Sequence, residues 1–412
     1  MRHITPFPET PMSLTVPRPE IVSLDRILPK EPLLMMGAGP VPIPQAVAYA
    51  NSQVINHLGP TMAKVIDQVK QMARYVFQSS SPYMLGVAGP GSAAMEMAVC
   101  NLVSPGDKVF SVVNGYFSAR MFEMARRAGG DVVEHIVPMG CCANPEQLRH
   151  ALELHRPKVL TIVQGETSNT TMNCRLPEIC KLASEFGCLV IVDAVCTLST
   201  TPLEMDNWGI DAIITGGQKG LSSIPGVSLV AFSTRAFDAI NARAKPPTQW
   251  CLDARLANGF WNEGKYHYTA PTSGVLALHE ALRLVCEETL ERRFARHSIC
   301  SEALQAGVEA LGLTLFVPKP ARLNSVLGIR VPDGVNADFV RLHMSEKHRV
   351  EISGSFGLPI LRIGQMGEQC HAHHLYRTLH ALGSSMLAGG AVIDLPQGLS
   401  ELSRNLATAE AL

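Results

Sequence analysis

Two rhythms of apolar residues alternate along this chain. Short apolar runs such as Lys108-Val-Phe-Ser-Val-Val113, Val159-Leu-Thr-Ile-Val163 and Leu189-Val-Ile-Val192 stand between longer stretches with apolar residues at every third or fourth position. The runs read as strands buried on both faces and the longer stretches as helices. The pattern predicts a helix over 44–55 and another over 60–78, where Met62, Val65, Ile66, Val69, Met72 and Val76 recur at helical spacing. A strand from Tyr83 then enters the turn Gly89-Pro90-Gly91 and an Ala/Met-rich helix. Next come a strand Lys108–Val113, a helix to about 128, a strand Val132–Val137, a helix over 145–155 and a strand Val159–Val163. The polar loop Gln164–Thr171 precedes a helix Leu176–Phe186, two strands that end in Asp193 and Thr215, and a strand Val227–Ser233. Such alternation implies a mostly parallel sheet covered on both faces.

The rhythm breaks over 245–271. A helical stretch over 272–312, interrupted near 288, leads to an α+β pattern: strands Leu313–Val317, Asn324–Val331, Val350–Ile352 and Ile360–Ile363, with helices over 336–347 and 371–387. The tail from 391 is loosely patterned. Residues 1–33 are proline-rich and read as an arm, suited to wrapping on a partner subunit. The expected division is an arm 1–33, a large α/β domain 34–288 and a smaller C-terminal α+β domain 289–412.

Composition narrows the function classes. The 412 residues are 46% hydrophobic and 17% charged, which suits a soluble chain with a large core. A formal net charge of −1 gives no footprint for nucleic acid or an anionic membrane. No apolar run reaches membrane-spanning length, and the first residues lack the apolar centre of a secretory signal. Eleven cysteines, scattered and odd in number, fit reduced thiols in a cytoplasm. Cys141 and Cys142 are adjacent in an expected loop.

Candidate chemistry concentrates in residues 189–220. One short run ends in Asp193, and a later one enters the glycine turn Gly216-Gly217-Gln218-Lys219-Gly220. In an α/β sheet both would open onto the crevice at the strands' carboxyl ends. A lysine amine there can condense with a carbonyl, and a nearby carboxylate can hold a pyridinium nitrogen charged. Taken alone, the two residues read better as a turn-capping aspartate and a solvated lysine. The turn at Gly89–Gly91, before a helix N-terminus, is a place for an anion. Gly86, Gly89 and Gly91 can be aligned with a dinucleotide fingerprint, which would make the chain a nicotinamide-dependent oxidoreductase. That fold wants an acidic residue about 20 positions further on, and Ser111-Val-Val-Asn114 stands there instead.

Taken together, from about Leu33 to Leu387, the segments resemble the class V, fold-type I aminotransferases, with the nearest likeness in the alanine–glyoxylate and serine–glyoxylate branch. The motifs that carry the resemblance are Gly39-Pro40, the Gly89–Glu96 turn and helix, Asn114-Gly115, Gly165-Glu166-Thr-Ser168, Val192-Asp193-Ala-Val195, Gly217-Gln218-Lys219, Leu256-Ala-Asn258-Gly-Phe-Trp261, Tyr266-His-Tyr-Thr269-Ala-Pro271 and Leu361-Arg362-Ile-Gly364. The resemblance implies a fold-type I transferase using pyridoxal 5'-phosphate as cofactor. It casts Lys219 as the amine that carries the cofactor and shuttles a proton, and Asp193 as the partner of its ring nitrogen. Val195 and Phe117 would face the ring, Ser168 would reach its phenolic oxygen, and Gly91, Ser92 and Gln218 would hold its phosphate. Tyr266 and Thr269 would reach that phosphate from the neighbouring subunit, which makes a homodimer with shared sites part of the expectation. Arg362 would grip a substrate carboxylate bidentately, with Gly39 beside it. The turn reads Pro90-Gly91-Ser92 where the family often has Ser-Gly-His or Thr-Gly-Thr, so one backbone donor is missing.

The implied reaction is transamination between a small amino donor and a small 2-oxo acid such as glyoxylate. The sequence looks most like the bacterial ureidoglycine aminotransferases of purine breakdown. A ureido group needs amide-type partners, for which Asn258, Asn262 and Asn56 are candidates, though each is equally a turn or capping asparagine. Alanine–glyoxylate or serine–glyoxylate transamination is the alternative, and pyridoxamine–pyruvate transamination a further one. A non-catalytic scaffold would have no use for both Lys219 and Asp193. The cluster Cys370-His371-Ala-His373-His374 has metal-ligand residue types, but its spacing reads better as an exposed helix start, so no metal is expected.

Overall fold

The computed structural model describes residues 16–410. Of the predicted arm, residues 1–15 lie outside the described residues. Residues 16–33 belong to a unit of their own, exposed nearly throughout, with one short helix Leu24–Ile27. The remainder, from Leu34, is the second unit.

Its centre is a seven-stranded sheet. Across the sheet the strands run Tyr83–Ala88, Val227–Phe232, Ala212–Gly216, Leu189–Asp193, Val159–Val163, Lys108–Val113 and Asp131–Ile136. All are parallel except Val227–Phe232, which is antiparallel to both neighbours. The strands Val159–Val163, Leu189–Asp193 and Ala212–Gly216 are buried at every position, as unbroken apolar runs require. Helix Pro60–Phe77 buries Met62, Ile66, Val69 and Val76 on the predicted face. Fold class thus stands as expected: α/β, with a large, mixed but mostly parallel sheet.

The core is divided. One apolar cluster spans residues between Met62 and Leu290, and a second joins Leu34 and Met36 to residues between Cys300 and Leu406. The long helical stretch breaks at Thr289 (φ +68°) into helices Thr272–Glu288 and Leu290–Ala310. Beyond it lie an antiparallel pair, Val326–Arg330 with Ile360–Gly364, and helices Ala337–His348 and Ala372–Ala388.

Three elements differ from expectation. Leu313–Val317 is no strand: Leu315 makes a single bridge to Ile329. Within 245–271 a helix forms over Ala254–Glu263, capped by the Asp253 carboxylate, which accepts from Arg255 N at 2.9 Å. The loosely patterned tail is a helix, Leu395–Glu410.

Candidate active site

After the strand Ala212–Gly216 the chain curls tightly. Ser222 N donates to Lys219 O and Ser223 N to Gly217 O, both at 2.8 Å. This turn sends the Lys219 side chain over the sheet end, where Nζ donates to the carbonyl of Ala38. Gly39 lies against it. A Cβ at residue 39 would sit 2.5 Å from Lys219 Nζ, and φ there is +98°, so space and conformation both demand glycine. The expected substrate-side glycine therefore touches the lysine itself.

Asp193 ends the neighbouring strand and pairs in register with Ile214. It is only 4% exposed, and Val195 N donates to its Oδ1 at 2.7 Å. Burial pushes its carboxyl up to about 7, against the pull of the Val195 N–H and the Lys219 charge. Burial also lowers the Lys219 amine. Both shifts favour neutral forms: an acid that keeps its proton and an amine that gives one up.

Lys219 and Asp193 line one cavity of about 170 Å³. At one end stand Gly91 and Ser92, the first residues of helix Gly91–Leu102, whose free N–H groups and dipole favour an anion. Pro90 is the N-cap and brings no N–H. A Cβ on Gly91 would come 2.8 Å from Val195 Cγ2, so glycine keeps this wall thin. Gln218 reaches the same cavity, and its buried Oε1 has no hydrogen-bond partner among the described residues. Arg120 closes this end: Nη1 donates to Ser92 Oγ at 2.6 Å, and its guanidinium lies 4.9 Å from the Phe117 ring centre. Arg120 was not a sequence candidate. Its signal is its place one turn beyond Phe117 on helix Tyr116–Arg127.

A second buried carboxylate holds this wall in place. Glu166 is fully buried and accepts from Phe117 N, Ser118 N, Ser118 Oγ, Ser168 N and Ser168 Oγ at 2.6–3.2 Å. A negative side chain at the positive end of helix Tyr116–Arg127 is a favourable cap. It orients Phe117, whose ring faces the cavity. Ser168 is drawn into the same cap, donating to Glu166 and accepting from Tyr116 N at 3.0 Å. Thr167, not Ser168, lines the cavity.

Arg362, on strand Ile360–Gly364, is 6% exposed. Nε donates to Gly354 O at 2.7 Å and Nη1 to Thr167 O at 2.8 Å. Nη2 has no hydrogen bond among the described residues. Burial lowers the guanidinium to about 10, with Glu166 opposing. Phe356 lies below it at 5.5 Å and stacks on Tyr116 with ring centres 4.3 Å apart.

Other candidates lie elsewhere. Tyr266 (63% exposed) and Thr269 are on the surface, away from this chain's cavity. Asn262 Oδ1 accepts from Lys70 Nζ at 3.0 Å, Asn262 Nδ2 donates to Asn258 Oδ1 at 2.7 Å, and Asn262 lines a separate cavity of about 200 Å³. Asn56 Oδ1 accepts from Leu58 N, the turn role. In the histidine cluster His371 pairs with Glu368 at 3.4 Å and His374 Nδ1 meets Glu368 O at 2.9 Å; no group able to hold a metal ion exists among the described residues. No described helix is long and apolar enough to cross a membrane.

A lysine amine and a carboxylate facing one cavity, with an anion site at its end, mark a carbonyl-cofactor enzyme, and relatives agree. The aminotransferase class V family model matches residues 45–372, and the chain belongs to that family. It is 34% identical to the alanine–glyoxylate aminotransferase of Drosophila melanogaster over 382 residues, covering 90% of this chain and 96% of the relative. The crystal structure of alanine–glyoxylate aminotransferase from Nostoc sp. matches at TM-score 0.84 and 35% identity, covering 89% of this chain and 100% of that one. That of ureidoglycine–glyoxylate aminotransferase from Bacillus subtilis matches at TM-score 0.89 and 29% identity, covering 92% and 99%. The chain is thus a pyridoxal phosphate-dependent transaminase. The residues present suit that cofactor: a free amine for its aldehyde, a buried acid short of a cation for its ring nitrogen, and Gly91, Ser92 and Arg120 for its phosphate.

Proposed function

We propose that this cavity is the transaminase centre and that the enzyme transfers an amino group from a small, neutral amino donor to glyoxylate. The observation that carries the reading is one cavity lined by a lysine and an aspartate that burial holds near neutrality, with an anion site at its end. When bound, pyridoxal phosphate supplies an aldehyde that accepts the amino group and a ring that spreads negative charge. Lys219 Nζ, its basicity lowered by burial, takes and returns the proton at the substrate carbon. Asp193, given a cation across from it, gives up its own proton and holds that cation fixed. Phe117 and Val195 would face the ring, while Gly91, Ser92, Gln218 and Arg120 would hold the phosphate. Ser168 acts through Glu166 and the helix start as a positioning residue. Arg362 takes the substrate carboxylate on its spare Nη2 and shifts its other bonds to complete the fork. Arg362 is not itself among the residues lining the cavity but is bonded to Thr167, which is; with Arg120 engaged by Ser92, one carboxylate reader remains, which suits monocarboxylate donors and glyoxylate.

For the donor, an alanine-type amino acid is the preferred reading. Phe356 lies against Arg362, with Tyr116 stacked on the Phe356 ring and Phe117 edge-on to it, and the asparagines suited to a ureido group are not among the residues lining this chain's cavity. The fold match to the ureidoglycine–glyoxylate enzyme favours (S)-ureidoglycine as the second reading, and with it a place in purine breakdown. In that case Asn258 or Asn262 would serve across a dimer, as Tyr266 and Thr269 would for the phosphate. A cytoplasmic homodimer with an arm 1–33, a large domain 34–288 and a small domain 289–412 completes the proposal. The test is to follow the visible absorption of the purified protein while alanine, serine and ureidoglycine are added in turn. Bleaching by alanine, restored by glyoxylate, is expected; bleaching by ureidoglycine alone would shift the assignment to the second reading. A protein that stays colourless with added pyridoxal phosphate would sink both.

A further inference from the structure

Far from the lysine, two cysteines from different segments meet. Cys142 stands in the loop before helix Pro145–His155, and Cys174 follows the short hairpin that pairs Gly165–Glu166 with Thr171–Met172. Their sulfurs are 2.6 Å apart, and Cys142 Sγ also donates to Met172 O at 3.0 Å. Cys174 is exposed, Cys142 is half-buried, and both are free thiols. Cys141, though adjacent, is turned to solvent and makes no such contact.

The meeting is held by the Asn173 side chain, bonded to backbone on both sides. Asn173 directly precedes Cys174 and reaches across to the Cys142 segment: its Oδ1 accepts from Ala143 N at 3.0 Å, and its Nδ2 donates to Val163 O at 2.7 Å. Asn173 N donates to Gln164 O at 2.8 Å. The 142–144 loop is thus docked on the base of the hairpin that carries Glu166 and Thr167. We propose that Cys142 and Cys174 form a reversible disulfide that fastens this loop to the hairpin base when a small-molecule disulfide such as oxidised glutathione is present.

The chemistry balances with that oxidant. Burial raises the Cys142 thiol to about 11, so the exposed Cys174 reacts first. Its thiolate attacks one sulfur of the oxidant, forming a mixed disulfide and releasing one small thiolate. Cys142 then gives up its proton and attacks the Cys174 sulfur, expelling the second small thiolate. Two protein thiols become one disulfide, and one small disulfide becomes two thiols. The bond closes a loop that holds the strand Val159–Val163 and the whole hairpin, a covalent tie expected to limit their opening.

To test this, the holoenzyme is treated with oxidised glutathione or with dithiothreitol. Remaining thiols are alkylated, and the peptides are mapped by mass spectrometry. The expected product is a Cys142–Cys174 linked pair, reversed by dithiothreitol, kept in Cys141→Ser and lost in Cys142→Ser and Cys174→Ser. A Cys141–Cys142 pair, or Cys174 left alkylatable or carrying only glutathione, would overturn the disulfide. The thermal midpoint of the oxidised wild type is expected to shift upward and to return on reduction, with no shift in Cys174→Ser. A mapped disulfide with an unchanged midpoint would overturn its fastening role.

Discussion

Two buried carboxylates in this molecule are treated in opposite ways. Glu166 sits at the start of helix Tyr116–Arg127 and receives hydrogen bonds from three backbone N–H groups and two serine hydroxyls. Asp193 sits at the end of the strand Leu189–Asp193, equally deep, with Val195 N as its hydrogen-bond donor. The first is satisfied by the fold and positions a wall. The second is left short of partners, and burial holds its proton on up to about 7. A carboxylate kept under-satisfied beside a lysine of lowered basicity suits the cationic ring proposed for it, and the contrast sets the proposed site apart from the scaffold.

The largest expected effect falls on the amine. Lys219→Ala should lose transamination by roughly 10²–10⁴-fold, since it removes the group proposed to move the proton; steady-state rates with saturating cofactor measure this. Next comes Asp193→Asn, which should lower activity yet stabilise the cofactor-free protein. Folded, the Asp193 carboxyl keeps its proton to about 7, against 3.8 as its ordinary value. Between those values the folded chain binds more protons than the unfolded one. Stability of the wild type without cofactor should therefore fall as pH rises through that window and level off above it. The fall should amount to about 4 kcal/mol over the whole window, about 2.5 kcal/mol of it between pH 5 and 8, and be missing from Asp193→Asn, as denaturant midpoints across that range would reveal. Glu166→Gln should do the reverse at the same depth. It weakens a satisfied cap, so stability should drop by about 2–3 kcal/mol at neutral pH in the cofactor-free protein. A stabilised Glu166→Gln would break the contrast.

The smallest effect sharpens it. Arg120→Met should weaken binding of pyridoxal phosphate by roughly tenfold, the loss of one charge-assisted bond, and leave binding of unphosphorylated pyridoxal nearly unchanged. Equilibrium titration of the cofactor-free protein with both compounds distinguishes this from general damage, which would weaken both.

How far the chain could be read before folding follows from range. Strands buried on both faces announce themselves locally, so Lys108–Val113 and Val159–Val163 were legible to the residue. Strand ends and glycine turns are local too, and Lys219, Asp193, Gly91, Ser92, Phe117, Val195 and Gln218 do line one cavity. Arg120 was hidden because a single arginine on an exposed-looking helix face carries no pattern until Ser92 is seen opposite it. The helix Ala254–Glu263 was masked by Asn258 and Gly259 in its middle, and its Asp253 cap is visible only once the helix is known. Leu313–Val317 has a strand's composition but only one bridge, because pairing depends on a partner the local pattern does not name. Asn258 and Asn262 have the right chemistry for a polar donor, yet their partners are Lys70, Glu263 and the Pro82 carbonyl.

The most direct measurement of the central claim is chemical. Borohydride reduction of the purified enzyme fixes bound cofactor to the amine that holds it, and peptide mass mapping locates the mark. A single pyridoxyl group on Lys219, absent from Lys219→Ala, is the predicted result; a mark on another lysine, or none on protein saturated with pyridoxal phosphate, would contradict it.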